Sequence, residues 1–193
     1  MNVPKNSLNI AINRLQQDDI RLALFDDHHA PALTEKARDP RIWQHHHVDF
    51  DNPSVFQSIY ITKAKNSIAN KKRYMFVIYF QNEIIGSTSY YDVELAHLKL
   101  KIGYSWLHPD YWGKGINTVV KKLMLAYAFE QLKFKRVAFC IDAENLQSRK
   151  AIEKLGIPFE GILYNHQIRP DGSSRNSAIY AITDEEWHLR EKK

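Results

Sequence analysis

Apolar and polar residues alternate along Leu8–Arg14, the period of a half-buried strand, and this segment reads as the first strand. Helical spacing follows over Gln17–Phe25 and predicts a helix there. Asp26–Asn52 is less regular, with Pro31, Pro40 and the run Trp43-Gln44-His45-His46-His47. Pro53–Ala69 reads as a helix, with Asn52 as its cap and Pro53 in the first turn. The middle of the chain carries strand patterns. Arg73–Phe80 is almost wholly apolar, Gln81-Asn82-Glu83 is a turn, Ile84–Asp92 is a strand, and Leu98–Leu107 is another. In this last strand Leu98, Leu100, Ile102, Tyr104 and Trp106 are expected to share one face. A long helix over Lys114–Leu132, a strand at Arg136–Ile141, a helix at Leu146–Leu155 and a strand at Phe159–Arg169 come next. Pro170-Asp171-Gly172 turns the chain into Asn176–Ile182, and Asp184–Arg190 closes with a helical turn. The order predicts an α/β fold: a mixed, mostly antiparallel sheet with one central parallel β-α-β crossover and helices on both faces.

With 193 residues, 44% hydrophobic and 25% charged, this pattern fits one globular domain with a real core. Residues 1–193 are therefore expected to form a single domain. The one cysteine, Cys140, excludes a disulfide framework and a cysteine-based zinc site, and its apolar neighbours suit a small core residue. Met1–Lys5 carries no apolar leader pattern, and the longest apolar run, Leu123–Phe129, is seven residues, against the ~20 of a membrane span. A soluble, cytoplasmic protein is expected. Lys and Arg number 27 and Asp and Glu 22, giving +5. That balance leaves open a nucleic-acid binder or an enzyme with an anionic ligand, but the cations are scattered and no nucleic-acid-binding signature is present.

The candidate chemistry lies where a strand meets a helix. In Trp106-Leu107-His108-Pro109-Asp110-Tyr111-Trp112-Gly113-Lys114-Gly115-Ile116-Asn117-Thr118, a strand ends, two glycines flank Lys114, and an apolar helix starts at once. The first amides of a helix are unpaired, its dipole is positive there, and glycine lets an anion approach the backbone. This is the physics of a phosphate cradle, or of a simple tight turn. Neither a Walker A loop nor a dinucleotide fingerprint fits, because Gly115 follows Lys114 and Thr118 stands where a third glycine would be. After the next strand, Asn145 suits an N-cap and Gly156 a C-terminal stop. Ser148 falls on the same helical face as Ala151, Ile152 and Leu155. Its hydroxyl would either meet a ligand or bond back to its own helix.

Together, Gly113-Lys114-Gly115, Asn145 to Ser148, Glu153-Lys154-Leu155-Gly156, Glu160-Gly161 and the strand Gly103–Pro109 resemble the GNAT superfamily of N-acetyltransferases. The likeness is to the RimJ/RimL-like bacterial branch and runs over nearly the whole chain. It implies acetyl-CoA as co-substrate and a primary amine, a protein N-terminus or a small amine, as acceptor. Acetyl-CoA would wedge between two splayed strands, within a core of about residues 98–156. Its pantetheine would bond the backbone near Trp106 and Leu107. Its pyrophosphate would lie on the amides of Trp112, Gly113, Lys114, Gly115, Ile116, Asn117 and Thr118. The resemblance also implies Ser148 as the group that hydrogen-bonds or protonates the departing thiolate, and Asn145 as a residue that orients the cofactor. Residues of about 26–71 would form the acceptor side, with Trp43, His45, His47 and Glu94 as candidate contacts. No metal is implied, and adjacent histidines make poor metal spacing. His28, His29 and His45–His47 read either as solvated loop residues or, for the latter group, as pocket lining. The chain departs from the family where Lys101 replaces a usual carboxylate, Ile152 a tyrosine, Asp110 a glutamine or arginine, and Ile157 a phenylalanine. The base is thus left open between Asp92, Glu94 and a water chain. Lys101 and Ile152 also leave room for an alternative, a catalytically weak or inactive CoA-binding regulatory module. The assembly would be a monomer or homodimer.

Overall fold

Gln16–Gln17 (β1) and Ile20–Leu24 (β2) form an antiparallel hairpin where a helix was expected. Asp18 adopts a left-handed φ of 51°, which no helix continues. Ile20 and Leu22, two residues apart, are both buried in one cluster with Leu15, so the period of two prevails over the helical one. The computed structural model describes residues 15–44, 48–169 and 171–191; the strand expected over Leu8–Arg14 and the histidines His45–His47 lie outside them.

The stretch expected to be irregular contains a short helix, Ala30–Lys36 (α1), with Pro31 in its first turn, where the missing N–H is no loss. Pro40–Trp43 adds a 3-10 turn. Residues 53–69 form one helix (α2), as expected, with Asn52 accepting from the amides of Ser54 and Val55. Its middle, Phe56–Ile61, widens to π spacing. Then come Arg73–Phe80 (β3), Glu83–Glu94 (β4) and Lys99–Leu107 (β5). The helix Ile116–Ala126 (α3), extended by a π turn at Tyr127–Gln131, leads to Arg136–Asp142 (β6). Leu146–Glu153 (α4), Phe159–Ile168 (β7), Ser174–Thr183 (β8) and Asp184–Glu191 (α5) complete the chain.

The eight strands form one sheet in the order β1-β2-β3-β4-β5-β6-β8-β7. Every pairing is antiparallel except β5 with β6, which the α3 crossover joins in parallel. Two apolar layers cover the sheet. On one face Phe76, Ile78, Leu100, Ile102 and Phe139 pack with Ile116, Val120 and Met124 of α3, Ile152 of α4 and Trp187 of α5. On the other, Met75, Val77 and Trp106 pack with Leu33 of α1 and Phe56, Tyr60, Ile61 and Ala64 of α2. Because β3 feeds both layers from alternate residues, its sequence is a continuous apolar run.

The expected single face for Leu98, Leu100, Ile102, Tyr104 and Trp106 does not hold. Leu100 and Ile102 belong to the first layer and Trp106 to the second. Between them the β4–β5 register slips: Ser89 faces Gly103 and Ser87 faces Trp106, so Tyr104 and Ser105 together oppose Thr88. This is a β-bulge with Tyr104 at φ 51°. One inserted residue reverses the alternation and turns Tyr104 and Ser105 outward.

The β3–β4 hairpin turns on Gln81 and Asn82, with φ of 49° and 66°. Two left-handed residues in a two-residue turn favour glycine at the second position. Asn82→Gly should raise stability by ~0.5 kcal/mol. A urea midpoint below that of the native chain would show that the turn is not strained there.

Candidate active site

The parallel pairing of β5 and β6 lasts for three residue pairs, Lys99 with Arg136, Leu100 with Val137 and Lys101 with Ala138, and then stops. Beyond it β5 stays bonded to β4 as far as Leu107, and β6 stays bonded to β8 as far as Asp142. The two strands therefore diverge toward their C-terminal ends and leave a wedge-shaped opening in the sheet. Gly103 sits at its narrow end. A Cβ there would lie 2.7 Å from Cε1 of Tyr91, so glycine is what lets that ring cover the strand.

Both candidate loops flank this opening, because both follow the C-terminal ends of the two parallel strands. Gly113 and Gly115 have φ of 74° and 77°, and Gly115 caps α3. A Cβ on either would meet nothing within 4 Å, so the glycines answer to backbone conformation and to open space above it. The amide of Trp112 bonds Pro109 O at 3.0 Å, and that of Thr118 bonds Gly115 O at 3.0 Å. Among the described residues, the intervening amides of Gly113, Lys114, Gly115, Ile116 and Asn117 have no acceptor. A run of unpaired N–H groups on the positive end of α3 is suited to holding an anion. Trp112 donates its indole N–H to Leu107 O at 2.8 Å, which ties the loop to the end of β5. Lys114 Nζ lies 5.2 Å from the Tyr111 ring centroid.

Across the opening, Asn145 caps α4, its Oδ1 accepting from the Ser148 amide at 2.9 Å. Ser148 is half-buried, and among the described residues its hydroxyl bonds neither its own helix nor any other group. The helix is fixed by Arg149, which donates to Ala143 O at 3.1 Å and to Tyr180 Oη at 3.0 Å. Tyr180 in turn donates to Glu153 at 2.6 Å.

The bulge between these walls is held from both faces. On the α2 side, Tyr60 donates to Tyr104 O at 3.2 Å. The Tyr60 oxygen also lies 3.0 Å from Ser87 Oγ, and it accepts from Trp106 Nε1 at 3.2 Å and from Arg73 Nη2 at 3.4 Å. Arg73 is buried, bonds Ser89 Oγ at 2.8 Å, and stacks 4.0 Å from the Tyr104 ring centroid. On the α3 side, Lys121 bonds Ser105 Oγ and, at 3.2 Å, Thr88 Oγ1, and Thr88 lies 2.8 Å from Ser105. A trans peptide points its carbonyl and its amide in opposite directions. With Tyr104 O drawn toward α2, the Ser105 N–H is turned toward the α3 side of the sheet.

The structure brings Trp106, Leu107, residues 112–118, Asn145 and Ser148 to the rim of one opening. It does not bring Trp43, Glu94 or Asp92 there, and His45 and His47 lie outside the described residues. Trp43 is a core residue, its indole N–H donating to Ala37 O at 2.7 Å and its ring 5.4 Å from Trp106. Glu94 pairs with Lys99 at 3.2 Å and Asp92 with Lys101 at 3.0 Å, beside an open groove of about 500 Å³ where β5 and β6 are still joined. His28 and His29 flank Asp26 in a helix-capping turn rather than in the opening. The groups that sequence reasoning missed are Tyr60, Arg73, Ser105 and Lys121. Two signals were available: three consecutive hydroxyls, Ser87-Thr88-Ser89, inside a buried strand, and a lysine on the apolar stripe of a core helix.

The sheet thus opens at its parallel pair, with a run of unpaired amides on one bank and the Ser148 hydroxyl on the other. A family model described as the acetyltransferase (GNAT) domain matches residues 19–158, and the chain belongs to that family. It is 30% identical over 108 residues to YdaF of Bacillus subtilis, named as a candidate ribosomal N-acetyltransferase, covering 56% of this chain and 58% of the relative. It is 29% identical over 101 residues to the spermidine N(1)-acetyltransferase of Escherichia coli K12, covering 52% of this chain and 54% of that one. The chain thus spans little more than half the length of these two relatives. A crystal structure of a candidate acetyltransferase from T. thermophilus superposes with a TM-score of 0.77 at 28% identity, over 90% of each chain. Among the described residues, no helix is long and apolar enough to cross a membrane.

Removing the Tyr60 hydroxyl leaves the indole of Trp106, the guanidinium of Arg73 and the Tyr104 carbonyl each short of a buried partner. Tyr60→Phe should cost about 1–3 kcal/mol, read as a lower urea midpoint at unchanged slope. A change below ~0.5 kcal/mol would mean that this cluster does not hold the bulge.

Proposed function

We propose that this chain is an acetyl-CoA-dependent N-acetyltransferase that moves an acetyl group to a primary amine by direct attack. The observation that carries the reading is the coincidence, at one end of the β5–β6 opening, of unpaired backbone groups along diverging strands and a run of unpaired amides at the start of α3. Pantetheine, itself an amide chain, would complete the strand edge near Trp106 and Leu107. The pyrophosphate would sit on the amides of residues 112–118. No cationic side chain is required there, because the N–H groups and the helix dipole supply the field.

The thioester carbonyl would then lie against the bulge, where the Ser105 amide can polarise it and stabilise the oxyanion as the amine adds. The Tyr60 cluster holds that peptide in place before substrate binds, so little reorganisation accompanies attack. Asn145, by capping α4, sets the orientation of Ser148, whose free hydroxyl would hydrogen-bond the departing sulfur and supply its proton. Holding amine and thioester together accounts for much of the rate gain. The acceptor is a protein N-terminus or a small amine such as a polyamine; relatives named for ribosomal and spermidine acetylation support both.

The test is release of free thiol from acetyl-CoA in the presence of an amine panel containing short peptides and spermidine. CoA at 100 times its Kd should stabilise the fold by about 2.7 kcal/mol. Stabilisation without turnover on any amine would point instead to the CoA-binding regulatory module that Lys101 and Ile152 suggest. Absence of stabilisation would exclude both readings. Ser148→Ala should lower kcat by roughly 10²-fold with CoA affinity nearly unchanged, and an unaltered kcat would remove Ser148 from the reaction.

A further inference from the structure

Lys121 lies on the core-facing side of α3, packed among the residues of the larger apolar layer, and is 4% exposed. A lysine is seldom buried without a carboxylate partner. Among the described residues the amine meets two hydroxyls, Ser105 Oγ and Thr88 Oγ1, with Thr88 also donating to Met124 Sδ at 3.4 Å. The titratable groups buried in this layer are Tyr90 of β4, Tyr127 of the π turn and Tyr180 of β8, with Tyr74 and Tyr111 packed at its edge. Tyr90 is pushed well above the ordinary phenol value by burial, so it stays neutral. Its hydroxyl is spent on Met124 O at 2.6 Å. Burial alone draws the Lys121 amine down to about 7.

The position gives this amine a use. Ser105 is the residue whose backbone amide would face the proposed thioester; it is an exposed residue, and its hydroxyl, besides meeting Lys121 and Thr88, lies 3.2 Å from Gly103 O. A nucleophile approaching the carbonyl carbon comes within ~3–3.5 Å of it, and hence within reach of Ser105 Oγ directly or through one water. The competing bases are engaged elsewhere. Asp92 and Glu94 pair with Lys101 and Lys99 at the closed end. Tyr91 is pushed above the ordinary phenol range by burial. His166 is held 3.0 Å from Ser177 Oγ on β8.

We propose that Lys121, through the Ser105 hydroxyl, receives the proton that the acceptor amine gives up. The step rests on the acetyltransferase reading above. The amine nitrogen forms its bond to the acetyl carbon and passes one N–H proton to Ser105 Oγ, while the Ser105 proton moves to the lone pair of Lys121 Nζ. The C–S bond breaks with its electron pair on sulfur, and the thiolate takes a proton by way of Ser148. Lys121 then returns its proton to solvent through the opening. The balance is amine plus acetyl-CoA to acetamide plus CoA thiol. Ser105 touches the substrate in this scheme, and Lys121 acts through it.

The experiment is the pH dependence of kcat/KM between pH 5 and 10 for the native chain, Lys121→Met, Ser105→Ala and Ser105→Thr, using one accepted amine and acetyl-CoA. CoA-induced thermal shifts measured alongside establish that each variant is folded and loaded. The native profile should rise through a limb near pH 7. Lys121→Met and Ser105→Ala should each lose that limb and fall roughly 10²-fold or more in kcat, with KM for acetyl-CoA within about threefold. Ser105→Thr should restore it. A native rise governed only by the pKa of the acceptor amine, or a limb retained in Ser105→Ala, overturns the proposal while leaving the acetyltransferase reading intact. Absence of turnover by the native chain on any amine overturns both. A Lys121→Met chain that does not fold leaves the decision to Ser105→Ala, which keeps the buried amine and removes only the hydroxyl that links it to the opening.

Discussion

Everything functional here depends on two strands that stop bonding to each other. A backbone N–H or C=O inside a sheet needs a partner, and leaving one unpaired away from water costs on the order of 1–3 kcal/mol. β5 and β6 pair over three residues and then part. The sheet tolerates this because each strand keeps its other neighbour, β4 for one and β8 for the other. The unmet groups thus line a narrow wedge open to solvent, and any ligand with its own row of amides can satisfy them. The wedge is held open by ordinary hydrogen bonding on both banks. The crossover helix α3 then brings its positive end to the same rim, as right-handed β-α-β geometry requires.

The bulge at Tyr104 and Ser105 is the second consequence of that opening. Inserting one residue turns two consecutive residues outward at the mouth of the wedge, and left unsupported such a kink would be soft. It is pinned from opposite sides by buried polar groups of different character. Above the sheet, Tyr60 gathers Ser87, Trp106 and Arg73 around one oxygen and fixes a carbonyl. Below it, Lys121 and Thr88 fix a hydroxyl. Both clusters bury basic side chains with no carboxylate partner among the described residues, an arrangement that stability alone does not favour. The arginine offsets part of that cost by stacking on the Tyr104 ring. For the lysine, burial weakens the hold on its proton, which eases the cost of burying it.

Most of the architecture was legible in the chain. β3 was readable because it is buried on both faces, and α2 because Asn52 and Pro53 announce its start. The glycine turn into α3 was readable because two glycines ahead of an apolar run mark a helix start, whether as a cradle for an anion or as a tight turn. The misreadings share one cause. At Gln17–Phe25 a hairpin of short strands offered apolar residues that also fit a helical period, and only the left-handed Asp18 decides between them. At Leu98–Trp106 the alternation was extended through a residue that the sheet inserts. A bulge has no compositional signal when its first residue is tyrosine rather than glycine, so the change of face is invisible until the register with β4 is known.

The parts of the site that the sequence concealed are those made by long-range pairing. Tyr60 lies on α2, Arg73 at the start of β3 and Lys121 in the middle of α3; nothing local links them. What they share is a violation of local consistency, a polar or charged residue at a position whose periodicity demands an apolar one. Lys121 occupies the same stripe of α3 as Met124, Leu125 and Ala128, all buried. Leucine or methionine there would pack the core without the cost of burying an amine. A helix that carries a lysine at such a point sets its amine against the β5 bulge, where the hydroxyls of Ser105 and Thr88 take the place of a carboxylate partner.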